Sequence, residues 1–96
     1  MRKKTIEQLR REIDKLDQQI IDLLNQRALL VIEMGRCKLK EGRKLFDPKR
    51  EKKVLSNVIS ENPGPLSSNA IIRIYERIID ESRRLERIEV YNKKKS

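Results

Sequence analysis

The sequence predicts an all-α fold with three helices per chain, one long and N-terminal, one short and one of intermediate length. Three observations carry that expectation. Apolar residues recur at Ile6, Leu9, Ile13, Leu16, Ile20, Leu23, Leu30, Met34 and Cys37, in alternating steps of three and four that mark one face of a helix. Hydrophobic residues make up 36% of the 96, aromatics 3% and charged residues 41%, so any core is aliphatic and narrow, as a helical bundle allows. No segment alternates as a strand would, and there is no internal repeat.

The first helix is expected from about Thr5, an N-cap with Gln8 three residues on, to about Lys40, where Gly42 supplies a left-handed C-terminal cap. Gly35 interrupts its interior at a cost of about 1 kcal/mol relative to alanine, which close packing at that point would explain. In DPKRE, Asp47 is placed to cap the second helix, with Pro48 at its first position. That helix carries Val54, Leu55, Val58 and Ile59 to about Glu61. NPGPL reads as a loop, after which Ser67 or Ser68 caps a third helix bearing Ile71, Ile74, Ile78, Leu85 and Ile88. The chain is thus expected to form a single domain over residues 1–96, with an ordered helical part at about 5–91 and basic tails at 1–4 and 92–96.

These lengths have an architectural consequence. At 1.5 Å per residue the three helices span about 54, 21 and 35 Å, so the second and third cannot cover both sides of the first. A second copy of the chain is needed to dry the apolar seam. The expectation is an intertwined, mostly antiparallel helical-bundle homodimer.

Composition narrows the function classes. Lysine and arginine outnumber aspartate and glutamate 24 to 15, a net charge of +9, which in a compact basic domain would suggest nucleic acid. Six of those nine charges sit at the ends, in Arg2, Lys3 and Lys4 and in Lys93, Lys94 and Lys95, leaving about +3 for the body. Solvated termini explain such a distribution better than a binding stripe. No apolar run approaches the roughly 18 residues of a membrane span, and the N-terminus lacks the apolar core of a signal peptide. Cys37 is the single cysteine, forms no intrachain disulfide and reads as a small core hydrophobe, so a reducing, cytoplasmic setting is expected. The sequence has no histidine, which removes histidine general bases, histidine-activated nucleophiles and histidine metal sites together. Neither a metal nor an organic cofactor is expected. Any catalysis must use arginine, lysine and carboxylates.

The polar residues that break the apolar pattern are therefore the candidates. Arg27 occupies the one missing position of the seam. It is either a receptor for an anion or a buried pair that fixes helix register. Lys38 lies eleven residues on, about 20° away in azimuth and roughly 16 Å along the axis, so two long cations share a face. Arg10 is about 100° from Arg27 and roughly 25 Å away, too far to meet it in its own chain but available to a neighbour. Ser82 and Glu86 are an i, i+4 pair on the third helix, a site constellation or simply a polar stripe at the bundle edge. Asp47, Arg50 and Glu51 cluster in one turn, where capping and surface charge are the plain alternative. Converging in one cavity, these groups would suit a small dianion bearing a hydroxyl.

With these residues in view, the sequence resembles the all-helical class of chorismate mutase, from about Ile6 to Ile88. The resemblance rests on LRREIDKLDQQIIDLLNQR, GRCK, FDPKRE and IIDESRRLE, four motifs in order at the family's spacing. It covers both stand-alone mutases and mutase domains fused to prephenate dehydratase. It implies an intertwined homodimer with two sites that convert chorismate to prephenate without a cofactor. Position by position, it implies that Arg27 and the partner subunit's Arg10 bind the two carboxylates of chorismate, with Arg50 assisting. Lys38 matches the lysine that donates to the ether oxygen of the breaking bond. Glu51 and the Asp47 backbone match the groups that hold the ring hydroxyl, and Ser82 a serine near a carboxylate. Glu86 stands where some members have glutamine, also facing the ether oxygen.

This reaction needs no histidine. A C–O bond breaks as a C–C bond forms within one molecule, with no proton transfer, so the protein has only to restrain the substrate and stabilise charge on the ether oxygen. Isochorismate pyruvate-lyases resemble these mutases and are the alternative on the same fold. A basic nucleic-acid-binding dimer gives no reason for Arg27 in the seam, and in a purely structural helical module Arg27→Leu would stabilise the dimer and remove nothing.

Overall fold

The computed structural model describes residues 3–95, and among them all regular structure is helical. α1 runs Ile6–Lys40, α2 Pro48–Glu61 and α3 Ser68–Glu86. The starts of all three helices and the end of α1 have the chemistry their sequence prescribes. At the start of α1, the Thr5 amide donates to Gln8 Oε1 at 2.8 Å while the Gln8 amide donates to Thr5 Oγ1 at 3.1 Å, satisfying two donors that no helical carbonyl reaches. At its end Gly42 takes φ +69°, which lets the Arg43 amide turn back to the Lys38 carbonyl at 2.8 Å. Asp47 caps α2 by accepting from the Arg50 amide at 3.1 Å, with Pro48 in the first turn. Ser67, rather than Ser68, caps α3 through the Ala70 amide at 3.1 Å.

The chain divides into two compact units between Leu30 and Val31. The first holds the N-terminal part of α1. Its hydrogen bonds are local: Lys4 pairs with Glu12 at 2.7 Å, Arg10 with Glu7 at 3.1 Å, and Gln26 donates to Asp22 at 2.8 Å. Its apolar residues Ile6, Leu9, Ile13, Leu16, Ile20, Leu23 and Leu30 are all exposed.

The second unit contains the core of the described chain, in which Val31, Ile79 and Val90 are buried. Here the predicted seam is corrected. Met34 and Cys37, expected in the core, are exposed, and the buried residues of α1 are Val31, Gly35 and Lys38. This i, i+4, i+7 stripe lies one residue, about 100°, round the helix from the predicted one. Gly35 explains the choice. A Cβ there would stand 3.1 Å from Val90 Cγ2 and 3.2 Å from Glu86 Oε2, so the bare backbone admits both side chains.

The third helix also differs from expectation at its C-terminal end. After Glu86 the chain forms a π-helical segment, Arg87–Tyr91, followed by α4, Asn92–Lys95. A π turn accommodates an extra residue and shifts the register. Val90 is buried while Ile88, assigned to the apolar face by its spacing, is exposed. Residues 1, 2 and 96, which belong to the expected basic tails, lie outside the described residues.

Candidate functional site

The second unit brings Lys38, Glu86 and Glu51 together. Lys38 and Glu86 are each only 7% exposed, and they are the buried charged residues of the described chain. Lys38 Nζ donates to the Leu45 carbonyl at 2.9 Å and lies 3.8 Å from Glu86 Oε2. That separation gives attraction without a hydrogen bond, and buried Glu86 Oε2 has no hydrogen-bond partner among the described residues. An unsatisfied buried oxygen costs about 1–3 kcal/mol, a cost that a binding group can justify and a purely structural one does not.

Electrostatics favour a proton on this carboxyl. Burial raises the Glu86 pKa above the ordinary carboxylate value, the Lys38 ammonium opposes that rise, and the Glu51 charge adds to it. Desolvation is the largest of the three. A protonated Glu86 is a neutral donor beside a cationic donor, and the pair can stabilise negative charge developing on an acceptor between them.

Glu51, half-buried on the first turn of α2, receives two hydrogen bonds from Arg83 of α3, one from Nε at 2.6 Å and one from Nη2. The Arg83 guanidinium also lies over the Phe46 ring, 5.2 Å from its centroid. Leu45, Phe46, Arg83, Glu86, Arg87 and Tyr91 line a cavity of about 330 Å³. Ser82 is half-buried and donates to the Ile78 carbonyl at 2.9 Å. Asp47 is engaged as the cap of α2, and the Arg50 side chain is exposed. In the first unit, Arg27 is half-buried and Arg10 is exposed in its pair with Glu7.

Of the residues singled out in the sequence the structure brings Lys38, Glu86 and Glu51 together, and it adds Arg83, Phe46 and the Leu45 carbonyl, which the sequence had not singled out. Arg83 had a signal in retrospect, because it sits between Ser82 and Glu86 in a run otherwise read for its i, i+4 pair. The Leu45 carbonyl had none, since a backbone acceptor carries no sequence mark. Among the described residues no group of three or more histidine, cysteine, aspartate or glutamate side chains could hold a metal, and no helix is long and apolar enough to cross a membrane.

Residues 9–87 match the family model for chorismate mutase type II. The chain is 33% identical over 86 residues to the bifunctional chorismate mutase/prephenate dehydratase of Aquifex aeolicus, covering 85% of this chain and 24% of that protein. It is 34% identical over 83 residues to the bifunctional enzyme of the same name from Stutzerimonas stutzeri, covering 81% and 23%. It thus spans about a quarter of the length of these curated relatives. Among solved structures, chorismate mutase Form II from Thermus thermophilus superposes with a TM-score of 0.83 at 38% identity, over 84% of this chain and 92% of that one.

Proposed function

The chain belongs to the chorismate mutase type II family, and on that premise we propose that it catalyses the rearrangement of chorismate to prephenate. The observation that carries the proposal is the buried Lys38 and Glu86 pair, 3.8 Å apart, with an unsatisfied Glu86 oxygen. Bond breaking transfers negative charge to the ether oxygen of the substrate. Lys38 donates to that oxygen as an ammonium, and Glu86 donates to it as a neutral acid, which its raised pKa favours. Lys38 spends one of its three N–H donors on the Leu45 carbonyl, which leaves the others for the substrate oxygen.

The remaining roles complete a dianion site. Arg27 binds one carboxylate and the partner subunit's Arg10 the other, arginine being suited to both by its planar fork. Arg50 assists on that side, Ser82 lies near a carboxylate, and Glu51 with the Asp47 backbone holds the ring hydroxyl. The protein acts as a homodimer whose second copy covers the exposed face of α1, a reading supported by the row of large apolar residues in solvent before Val31. Residues 1–96 act as one mutase domain. A cytoplasmic setting fits the free, exposed Cys37.

The test follows chorismate absorbance on adding purified protein and assays acid-treated product for phenylpyruvate. Saturable loss of chorismate with phenylpyruvate after acid is the expected result. No turnover by a folded dimer would overturn the proposal, and salicylate with pyruvate from isochorismate would replace it with the lyase.

A further inference from the structure

Arg83 has no part in the substrate contacts assigned above, yet it lines the cavity and engages three side chains. Its fork takes both oxygens of Glu51, its plane lies over Phe46, and Nη1 stands 3.5 Å from Asp80. Its side chain is 48% exposed, so these contacts contribute little to fold stability. Orientation is the effect that survives solvent screening, because a two-point grip fixes the plane of a carboxylate in a way a point charge does not.

We propose that Arg83 is a positioning residue, holding the Glu51 carboxylate by a two-point grip braced on the Phe46 ring so that Glu51 is set for the substrate hydroxyl before substrate enters. The proposal rests on the mutase reading and on the Glu51 role within it. Phe46 belongs to the same connection, residues 41–47, as Leu45, whose carbonyl holds Lys38. One connection thus touches both Arg83, through the Phe46 ring, and Lys38, through the Leu45 carbonyl.

The grip has an electrostatic corollary. The groups facing Glu86 are Lys38 from α1, Glu51 from α2, Arg83 from α3, and Arg87 and Tyr91 from the π segment. The Glu51 charge raises the Glu86 pKa, and a cation bound to Glu51 is expected to weaken that influence. Removing the guanidinium is therefore expected to shift the Glu86 titration to higher pH.

The experiment compares Arg83→Met and Arg83→Lys in wild-type and Glu51→Gln backgrounds, measuring kcat and KM for chorismate from acid to alkaline pH. Arg83→Met is expected to raise KM about tenfold with a smaller effect on kcat, and to move the alkaline fall in activity to higher pH. Arg83→Lys keeps the charge and loses the fork, so it restores the pH profile while retaining most of the KM defect. In the Glu51→Gln background, Arg83→Met adds no further change, as expected for two residues acting as one unit. Unchanged KM and pH profile in Arg83→Met, or full additivity with Glu51→Gln, would overturn the proposal while wild-type turnover leaves the mutase reading intact. A wild-type protein that produces no prephenate removes both.

Discussion

Up to Leu30, the large aliphatic residues of the α1 seam stand in solvent, whereas from Val31 onward the chain buries a lysine and a glutamate. Both regions share one continuous helix with sound caps, so helix formation does not distinguish them. Cover does. The first region presents a regular apolar face that nothing in its own unit covers, and each such side chain is worth about 1.5–3 kcal/mol when fully buried. The second buries two charged groups along with Val31, Ile79 and Val90, and leaves Glu86 Oε2 without a hydrogen bond. A regular apolar period in a sequence therefore need not mark where the chain has its own core.

The comparison can be broken most severely in the first region. Ile20→Asp places a charge on the exposed apolar face, and we expect it to abolish both self-association and turnover, read by sedimentation and by chorismate consumption. Wild-type thermal stability should rise with protein concentration, as mass action requires of a dimer. A monomeric wild type, or an Ile20→Asp protein that sediments unchanged, would leave the apolar face without its proposed cover.

In the second region the largest effect falls on the buried cation. Lys38→Ala should reduce kcat/KM by on the order of 10² to 10³, the loss typical of one donor to a developing oxyanion, with helicity retained by circular dichroism. Near-normal turnover in that variant would end the proposed mechanism.

Glu86 offers a finer test, through pH. Its folded pKa is raised mainly by burial, so the proton is bound more tightly in the folded than in the unfolded chain. The stability this provides is fully present below the ordinary carboxylate pKa and is lost as pH rises through the raised value. Activity that needs the protonated acid falls over the same window. Glu86→Gln should flatten both declines, and an unchanged pH profile in the glutamine variant would show that this carboxyl is not the donor.

Gly35→Ala is the smallest perturbation. A methyl group gains about 1 kcal/mol in helix propensity but must displace Val90 and Glu86 Oε2 by a few tenths of an ångström. We expect thermal stability close to wild type with a several-fold loss of activity. A stabilised and fully active variant would show that the close approach of Glu86 to α1 is incidental.

Much of this was legible in the sequence because it depends on local chemistry. The three helices, the Thr5 and Gln8 capping box, Gly42 at the C-cap, Asp47 with Pro48 and Ser67 all follow from residue type at fixed offsets along one chain. Lys38, Glu86 and Glu51 were also legible, since each is a polar residue where the pattern or the family motif singles it out. What the pattern misassigned was the stripe of α1 that packs within the protomer. Met34 and Cys37 have the right spacing, but Gly35 has the right shape, and close approach of a second helix selects for shape.

The sequence by itself determined where helices begin and end, which residues must avoid water and which polar residues stand out from the apolar pattern. Those properties reside in nearest neighbours and in a period of 3.6 residues. Only the tertiary structure decided that Val90 rather than Ile88 is buried, that Lys38 rests on the Leu45 carbonyl, that Arg83 grips Glu51 and that Glu86 Oε2 lacks a hydrogen bond. Each depends on residues distant in sequence meeting across a gap of a few ångströms, or on one extra residue in a π turn. No single-chain periodicity encodes such meetings, because they are fixed by how the helices pack.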